Sequence, residues 1–192
     1  MRPDHSLDAR YFDDVFASGD DPWGLAASPY EAAKFDATIA AIANRRYCSG
    51  LEIGCAHGVL TRRLASLCDT LFALDISQRA VDLARARCAD CAGVTIERSA
   101  FPAEHPPGRF DLITLSEVVY YWNDDDIARA ATTIRALAAA DCRILLVHWL
   151  GVTDYPQTGD DAVGKLHRAL GAVAVERADR NADYRLDLWR VQ

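Results

Sequence analysis

The sequence predicts an α/β fold: a mostly parallel sheet of seven strands, helices on both faces, and an antiparallel hairpin at the C-terminal end. Three observations predict it. From Leu51 onward, short apolar runs alternate with segments whose apolar residues recur three and four positions apart, the pattern of βαβ units. The stretch "LEIGCAHGVLTRRLA" sets the small residues Gly54, Ala56 and Gly58 on alternate positions between one such run and one such helix. The last two runs, "AVAVERAD" and "DYRLDLWRV", alternate with period two around "RNA", as a closing hairpin does.

Each element follows in order. Residues 1–27 are polar and mixed, with "LDARYFDDVFA" a short helix and "GDDPWGLAA" a loop. Ser28 can cap the next helix, Pro29 suits its first position, and Glu31 completes a capping box, so Tyr30 to Asn44 reads as helix. Strand 51–53 leads to helix 59–68, strand 70–76 to helix 78–90, and strand 94–99 to a Pro-rich loop. Strand 111–117 leads to helix 124–139, and strand 142–149 to a loop and helix 160–170. Asp160 and Asp161 read as helix-start charges. Parallel sheets of this kind bind ligands at the carboxyl ends of their strands.

With 192 residues, the chain suits one domain with a sizeable core. We expect residues 1–45 to form a helical cover and residues 50–192 the core. Composition is ordinary for a globular protein, at 51% hydrophobic and 26% charged residues. A net charge of -7 disfavours nucleic acid or an anionic membrane as partner and leaves room for a neutral or cationic small molecule. No secretion leader or membrane-spanning run is visible, so the expected location is the cytoplasm. Cys55, Cys68, Cys88, Cys91 and Cys142 lie in apolar-periodic segments and read as buried thiols. Cys88 and Cys91 form one CxxC without a second pair, a poor zinc pattern.

Glycines after a strand can serve a tight connection or the approach of a ligand to bare backbone. Three ligand readings compete. A phosphate-binding loop needs Gly-Lys-Ser/Thr, which Gly58-Val59-Leu60 lacks. A dinucleotide site needs a third small residue where Val59 stands. The remaining pattern, E/D-x-G-x-G-x-G, is the first signature of S-adenosylmethionine (SAM) methyltransferases, with Ala56 in place of the middle glycine. SAM has no phosphate, so Gly54 and Gly58 can lie against its methionine and ribose, while Glu52 can interact with its ammonium through water. Asp75 ends the next strand, where an acid can accept both ribose hydroxyls, and Ser77 is placed to cap the following helix. In "FDLITLSEVVYYW", Glu117 sits at a strand end inside an apolar run and needs a partner or a ligand.

From about Asp21 to Trp122 the chain resembles the class I SAM-dependent methyltransferases of the NodS type, whose fold is Rossmann-like. The resemblance is carried by "DDPWGLAASPYE", "LEIGCAHG", "ALDIS" and "FDLITLSEVVYYW". It implies N-methylation of the free amine of a glucosamine residue, with S-adenosylhomocysteine (SAH) as coproduct. It implies cofactor contacts at Glu52, Gly54, Cys55, Ala56, Gly58, Asp75, Ile76, Ala100, Phe101 and Ser116, with Trp23 and Tyr30 closing the site. It also implies an acceptor pocket around Glu117, Tyr120, Tyr121 and Trp122. Family members carry Asp where this chain has Ala100, so adenine would depend on backbone near Ala100 and Phe101, or on Ser99. His148, Trp149, Asp154 and Tyr155 follow the fifth strand and could meet the acceptor.

An amine acceptor is mostly protonated at neutral pH, so a nearby carboxylate or histidine must take a proton before attack. Glu117 or His148 could do so, with Tyr120 beside them, and Glu117 could equally bind the ammonium or sugar hydroxyls without accepting a proton. A small-molecule O- or S-methyltransferase and a SAM-binding protein without catalysis are the alternatives. A monomer or a homodimer would serve equally.

Overall fold

The computed structural model describes residues 2–192. Its strands are β1 (Tyr47–Ile53), β2 (Cys68–Asp75), β3 (Val94–Arg98), β4 (Phe110–Ser116), β5 (Ala138–Trp149), β6 (Val173–Arg180) and β7 (Tyr184–Val191). The helices are α1 (Ala9–Ala17), α2 (Pro29–Ile42), α3 (Val59–Leu64), α4 (Gln78–Arg87), α5 (Asp124–Leu137) and α6 (Gly159–Leu170), with a 3-10 turn over Val119–Tyr121. The seven-stranded sheet has the order β3-β2-β1-β4-β5-β7-β6. The chain divides into two units, residues 8–100 and residues 1–7 with 101–192.

In residues 8–100, β1, β2 and β3 pair in parallel. Tyr47, Leu51, Leu64, Leu71 and Leu74 are buried, and each such side chain removed from water contributes about 1.5–3 kcal/mol. Ser28 caps α2 by accepting the Glu31 N–H at 3.4 Å. The expected capping box is only half formed. Glu31 accepts from Lys34 Nζ at 3.0 Å, and the Ser28 N–H donates to the Gly24 carbonyl at 2.9 Å.

β1 starts at Tyr47, four residues before the expected strand. Ser49 and Gly50 are small or polar, yet they pair with β2, and a side chain at Gly50 would stand 2.8 Å from Cys68 Sγ. α3 ends at Leu64 rather than residue 68, because Tyr47 draws the chain back by donating its N–H to the Leu67 carbonyl at 2.9 Å.

In the other unit, β4 and β5 are parallel, while β5–β7 and β6–β7 are antiparallel, which is the expected hairpin. α5 ends at Leu137, and β5 takes over at Ala138, four residues early. A register shift between Phe110 and Leu112 absorbs the extra residues. Ile144 to Val147 are fully buried. β6 is exposed along most of its length, and Glu176, Arg177, Asp179 and Arg180 keep this edge from recruiting another strand.

All six cysteines are in the thiol form; Cys55, Cys68, Cys88 and Cys142 are buried, whereas Cys91, expected buried, is half-buried. Among the described residues no helix is long and apolar enough to cross a membrane.

Candidate active site

In residues 8–100 the site is built where β1 and β2 end. The turn after β1 needs the left-handed backbone region three times, at Gly54 (φ 78°), Ala56 (φ 46°) and Gly58 (φ 82°). That explains the small residues. Ala56 is the exception among them, since a Cβ in this region costs roughly 1–2 kcal/mol. The N–H groups of Gly54 and Cys55 both donate to the Leu74 carbonyl at 2.8 Å, which ties the turn to β2. Gly58 also has a packing role. A Cβ there would meet Ala84 Cα at 3.0 Å, so this glycine lets α3 and α4 approach.

Asp75 closes the arrangement. Its Oδ2 accepts the Ala56 N–H at 2.8 Å and its Oδ1 accepts the Ser77 N–H at 2.9 Å. Ser77, as expected, caps α4, and its hydroxyl also donates to Asp13 at 2.7 Å. Each Asp75 oxygen keeps lone-pair capacity for a further donor. Burial pushes the Asp75 carboxyl up to about 6, against the pull of the Ser77, Ala56 and Ile76 N–H groups. Ile76 is half-buried, as is Ala100, which follows β3 beyond Ser99.

Glu52 is 2% exposed, and its Oε2 has no hydrogen-bond partner among the described residues. Burial pushes its carboxyl up to about 8; Thr61 pulls it partly back and the charge of Asp75 adds to the rise. The acid is therefore protonated at neutral pH, ready to ionise for a cation. Its folded value lies above the unfolded one, so its contribution to stability is complete below about pH 4.5 and is lost as pH rises towards about 8. Glu52→Gln, neutral at every pH, is expected to stabilise the ligand-free protein by about 3 kcal/mol at pH 7 relative to wild type, and by little at pH 4. Chemical denaturation at both pH values checks this.

Trp23 and Tyr30 are placed differently. Trp23 packs edge-on against Phe16 of α1 at 5.4 Å, whereas Tyr30 is exposed on α2 with Lys34 Nζ 5.4 Å from its ring centre.

In residues 101–192, Ser116 ends β4 half-buried, and Glu117 follows in the left-handed region at φ 58°. A non-glycine residue there stores strain, as functional positions do. Glu117 Oε2 accepts the Tyr120 hydroxyl at 2.6 Å and the Trp149 N–H at 2.8 Å. Tyr120, Tyr121 and Tyr155 pack together at 4.7–5.2 Å between ring centres. Burial pushes both the Tyr120 and Tyr121 hydroxyls well above their ordinary value, so they stay protonated as donors. Phe101 and Trp122 are buried, 5.8 Å apart.

His148 is fully buried, and its Nε2 accepts the Val119 N–H at 3.1 Å. That spends the lone pair a base would use. Trp149 is 40% exposed and Asp154 is exposed. Asp160 begins α6 as expected and also pairs with Arg185 at 2.9 Å.

Several residues escaped the sequence reading. Arg2 donates to the Tyr155 and Gln157 carbonyls at 2.6 and 3.1 Å, fastening the loop after β5. His57 stands 3.4 Å from Asp21 in the loop before α2, and Asp20 pairs with Arg79 at 2.7 Å. The acidic pair before Pro22 was the available signal.

Chemically, residues 8–100 offer two acids at adjacent strand ends, suited to a ligand with hydroxyls and a cationic group. Residues 101–192 offer an aligned carboxylate among tyrosines, suited to a polar or cationic acceptor.

A model of the family described as nodulation protein S (NodS) matches residues 13–147. Nodulation protein S of Rhizobium tropici is 33% identical over 111 residues, covering 56% of this chain and 45% of that protein. Its counterpart in Bradyrhizobium diazoefficiens is 33% identical over 107 residues, covering 55% and 51%. The chain thus spans about half the length of the curated relatives it matches. The crystal structure of N-methyltransferase NodS from Bradyrhizobium japonicum WM9 in complex with SAH has a TM-score of 0.84 at 22% identity, covering 95% of this chain and 97% of that one. A methyltransferase candidate from Pseudomonas syringae is 34% identical with a TM-score of 0.75, covering 84% and 98%.

Proposed function

Because the chain belongs to the nodulation protein S family, we propose that it transfers a methyl group from SAM to the amine of an amino sugar. The residues present fit that cofactor. The orphaned Oε2 of Glu52 suits the ammonium of its methionine portion, and the remaining lone pairs of Asp75 suit its two ribose hydroxyls. Gly54 offers bare backbone between them. The cofactor supplies an electrophilic methyl group on a sulfonium and is released as SAH. Ala100 has no side-chain acceptor for adenine, so that ring is left to backbone near Ala100 and to Phe101.

The observation that carries the acceptor assignment is Glu117. Its backbone is held in a strained conformation, and its Oε2 is oriented by Tyr120 and by the Trp149 N–H. Such a carboxylate binds an ammonium and takes its proton, which bares the lone pair that attacks the methyl carbon. Tyr120, Tyr121 and Tyr155 exclude water and keep the amine aligned. We assign the proton to Glu117 rather than His148, whose Nε2 is spent on Val119.

In this reading residues 8–100 supply cofactor contacts and residues 101–192 acceptor contacts within one methyltransferase domain, acting as a monomer or homodimer. Six cysteines in the thiol form suit a reducing compartment, and we place the reaction in the cytoplasm.

Incubation with SAM and a panel of amino sugars, phenols and thiols, read by mass spectrometry, tests the assignment. The expected result is one methylene of added mass on glucosamine-type amines. Transfer only to oxygen or sulfur would refute the acceptor class, and binding of SAH without any transfer would refute catalysis.

A further inference from the structure

The glycine-rich turn carries a side chain that the reaction does not use. His57 lies between Ala56 and Gly58, is 3% exposed, and is held by its carbonyl, which accepts from Arg87 Nε at 2.8 Å. Its Nε2 reaches to 3.4 Å from Asp21 Oδ1. Asp21 in turn shapes the loop before α2. Its Oδ1 accepts the Leu25 N–H at 2.7 Å and its Oδ2 the Ala26 N–H at 3.0 Å. Trp23 sits inside that loop and packs on Phe16. Asp13 with Ser77 and Asp20 with Arg79 tie the same N-terminal stretch to the start of α4, directly after Asp75. The N-terminal stretch is thus fastened at both turns that bear the cofactor-type contacts, and His57 is its tie to the glycine-rich one.

The tie is loose. At 3.4 Å the contact is longer than a good N–H···O bond, and neither ring nitrogen has a hydrogen bond among the described residues. A buried imidazole in that condition gains free energy if the loop draws a few tenths of an ångström closer.

We propose that His57 is a positioning residue for the cofactor: by gripping Asp21 it holds the loop bearing Trp23 against the Gly54–Gly58 turn and slows cofactor release. The inference rests on the reading that SAM and SAH bind at this turn.

The groups facing the ring are Asp21 and Asp20 from the loop and Arg87 from α4. Burial pulls the imidazole below its ordinary value, Arg87 adds to this, and the two aspartates oppose it. The fastened form therefore holds the proton less tightly than the opened one. Fastening weakens where falling pH protonates the buried ring.

The test measures SAH affinity by calorimetry and SAH release by stopped-flow displacement for wild type, His57→Leu, His57→Gln and Asp21→Asn. Hydrogen exchange at Leu25 and Ala26 is followed in parallel. His57→Leu and Asp21→Asn are expected to speed release about tenfold and to accelerate exchange at both amides. His57→Gln, whose carboxamide can still donate to Asp21, is expected to recover to within about threefold of wild type. Lowering the pH from 7.5 to 5.5 should speed release in wild type more than in His57→Leu; Asp75 and Glu52, which also titrate in or near this range, contribute equally to both. Release at the wild-type rate in His57→Leu overturns the proposal. So does equal damage in His57→Leu and His57→Gln, which would reduce the residue to filling space. If His57→Leu does not fold, His57→Phe, which also lacks a donor for Asp21, takes its place; Asp21→Asn does not decide alone, because it leaves one oxygen for the two N–H groups of Leu25 and Ala26. Absence of any SAH heat with wild type overturns the cofactor reading before a variant is made.

Discussion

Glu117→Gln is expected to lower turnover of an amino-sugar acceptor about 100-fold or more, near 2.7 kcal/mol of barrier, with SAH affinity changed less than about twofold. Glutamine keeps the length of the side chain, and its oxygen can still accept from Tyr120 or from the Trp149 N–H. What it loses is the negative charge that the proposed role needs to draw an ammonium in and remove its proton. Glu117→Ala is a poorer test, because it also strands the Tyr120 hydroxyl and the Trp149 N–H, whose acceptor Glu117 provides. Initial rates under saturating SAM, with SAH binding measured on the same preparation, separate chemistry from cofactor loss. Unchanged turnover in the glutamine variant would remove Glu117 from the mechanism. A loss that shrinks as the assay is moved to high pH, where the amine arrives neutral, would confirm that the proton is what it handles.

Asp75→Ala is expected to weaken SAH binding about 100-fold, as the loss of two hydrogen bonds to a charged acceptor should. Two effects combine. In the proposed role the ribose hydroxyls lose their acceptor, and so do the Ala56 and Ser77 N–H groups that fix the turn on either side. Asp75→Asn separates the two. One oxygen remains for the turn, so its melting temperature should stay within a few degrees of wild type, while the affinity still falls by tenfold or more. Calorimetric titration with SAH and a melting curve on each variant give both quantities. A folded Asp75→Asn protein that binds SAH as wild type does would place the ribose elsewhere.

Much of the fold was legible because burial imposes period two on strands and period 3.6 on helices, and the chain from Leu51 onward obeys both. Ser28, Ser77 and the acidic start of α6 were equally legible, since capping is settled within a single turn of chain. The start of β1 was not. Ser49 and Gly50 carry no apolar signal, and they are strand only because β2 lies alongside to pair with them. The same holds for Ala138 and Ala139, which fall in the expected helix yet lie in β5.

The candidate site divides in the same way. Glu52, the small residues of the turn, Asp75 and Glu117 could be picked out because an acid or a glycine at the end of an apolar run is improbable on local grounds. Their states could not. That Glu52 is a neutral acid, that Gly58 serves helix packing, that His148 accepts a backbone N–H and that His57 reaches Asp21 all depend on neighbours distant in the chain.

By itself, then, the sequence determined the order of strands and helices and the positions where chemistry-bearing residues sit, because hydrophobic periodicity and turn conformation are properties of short segments. Only the tertiary structure decided the charge, the conformation and the partner of each of those residues. Desolvation and hydrogen bonding are set by what packs against a group, and packing joins residues that the sequence holds far apart.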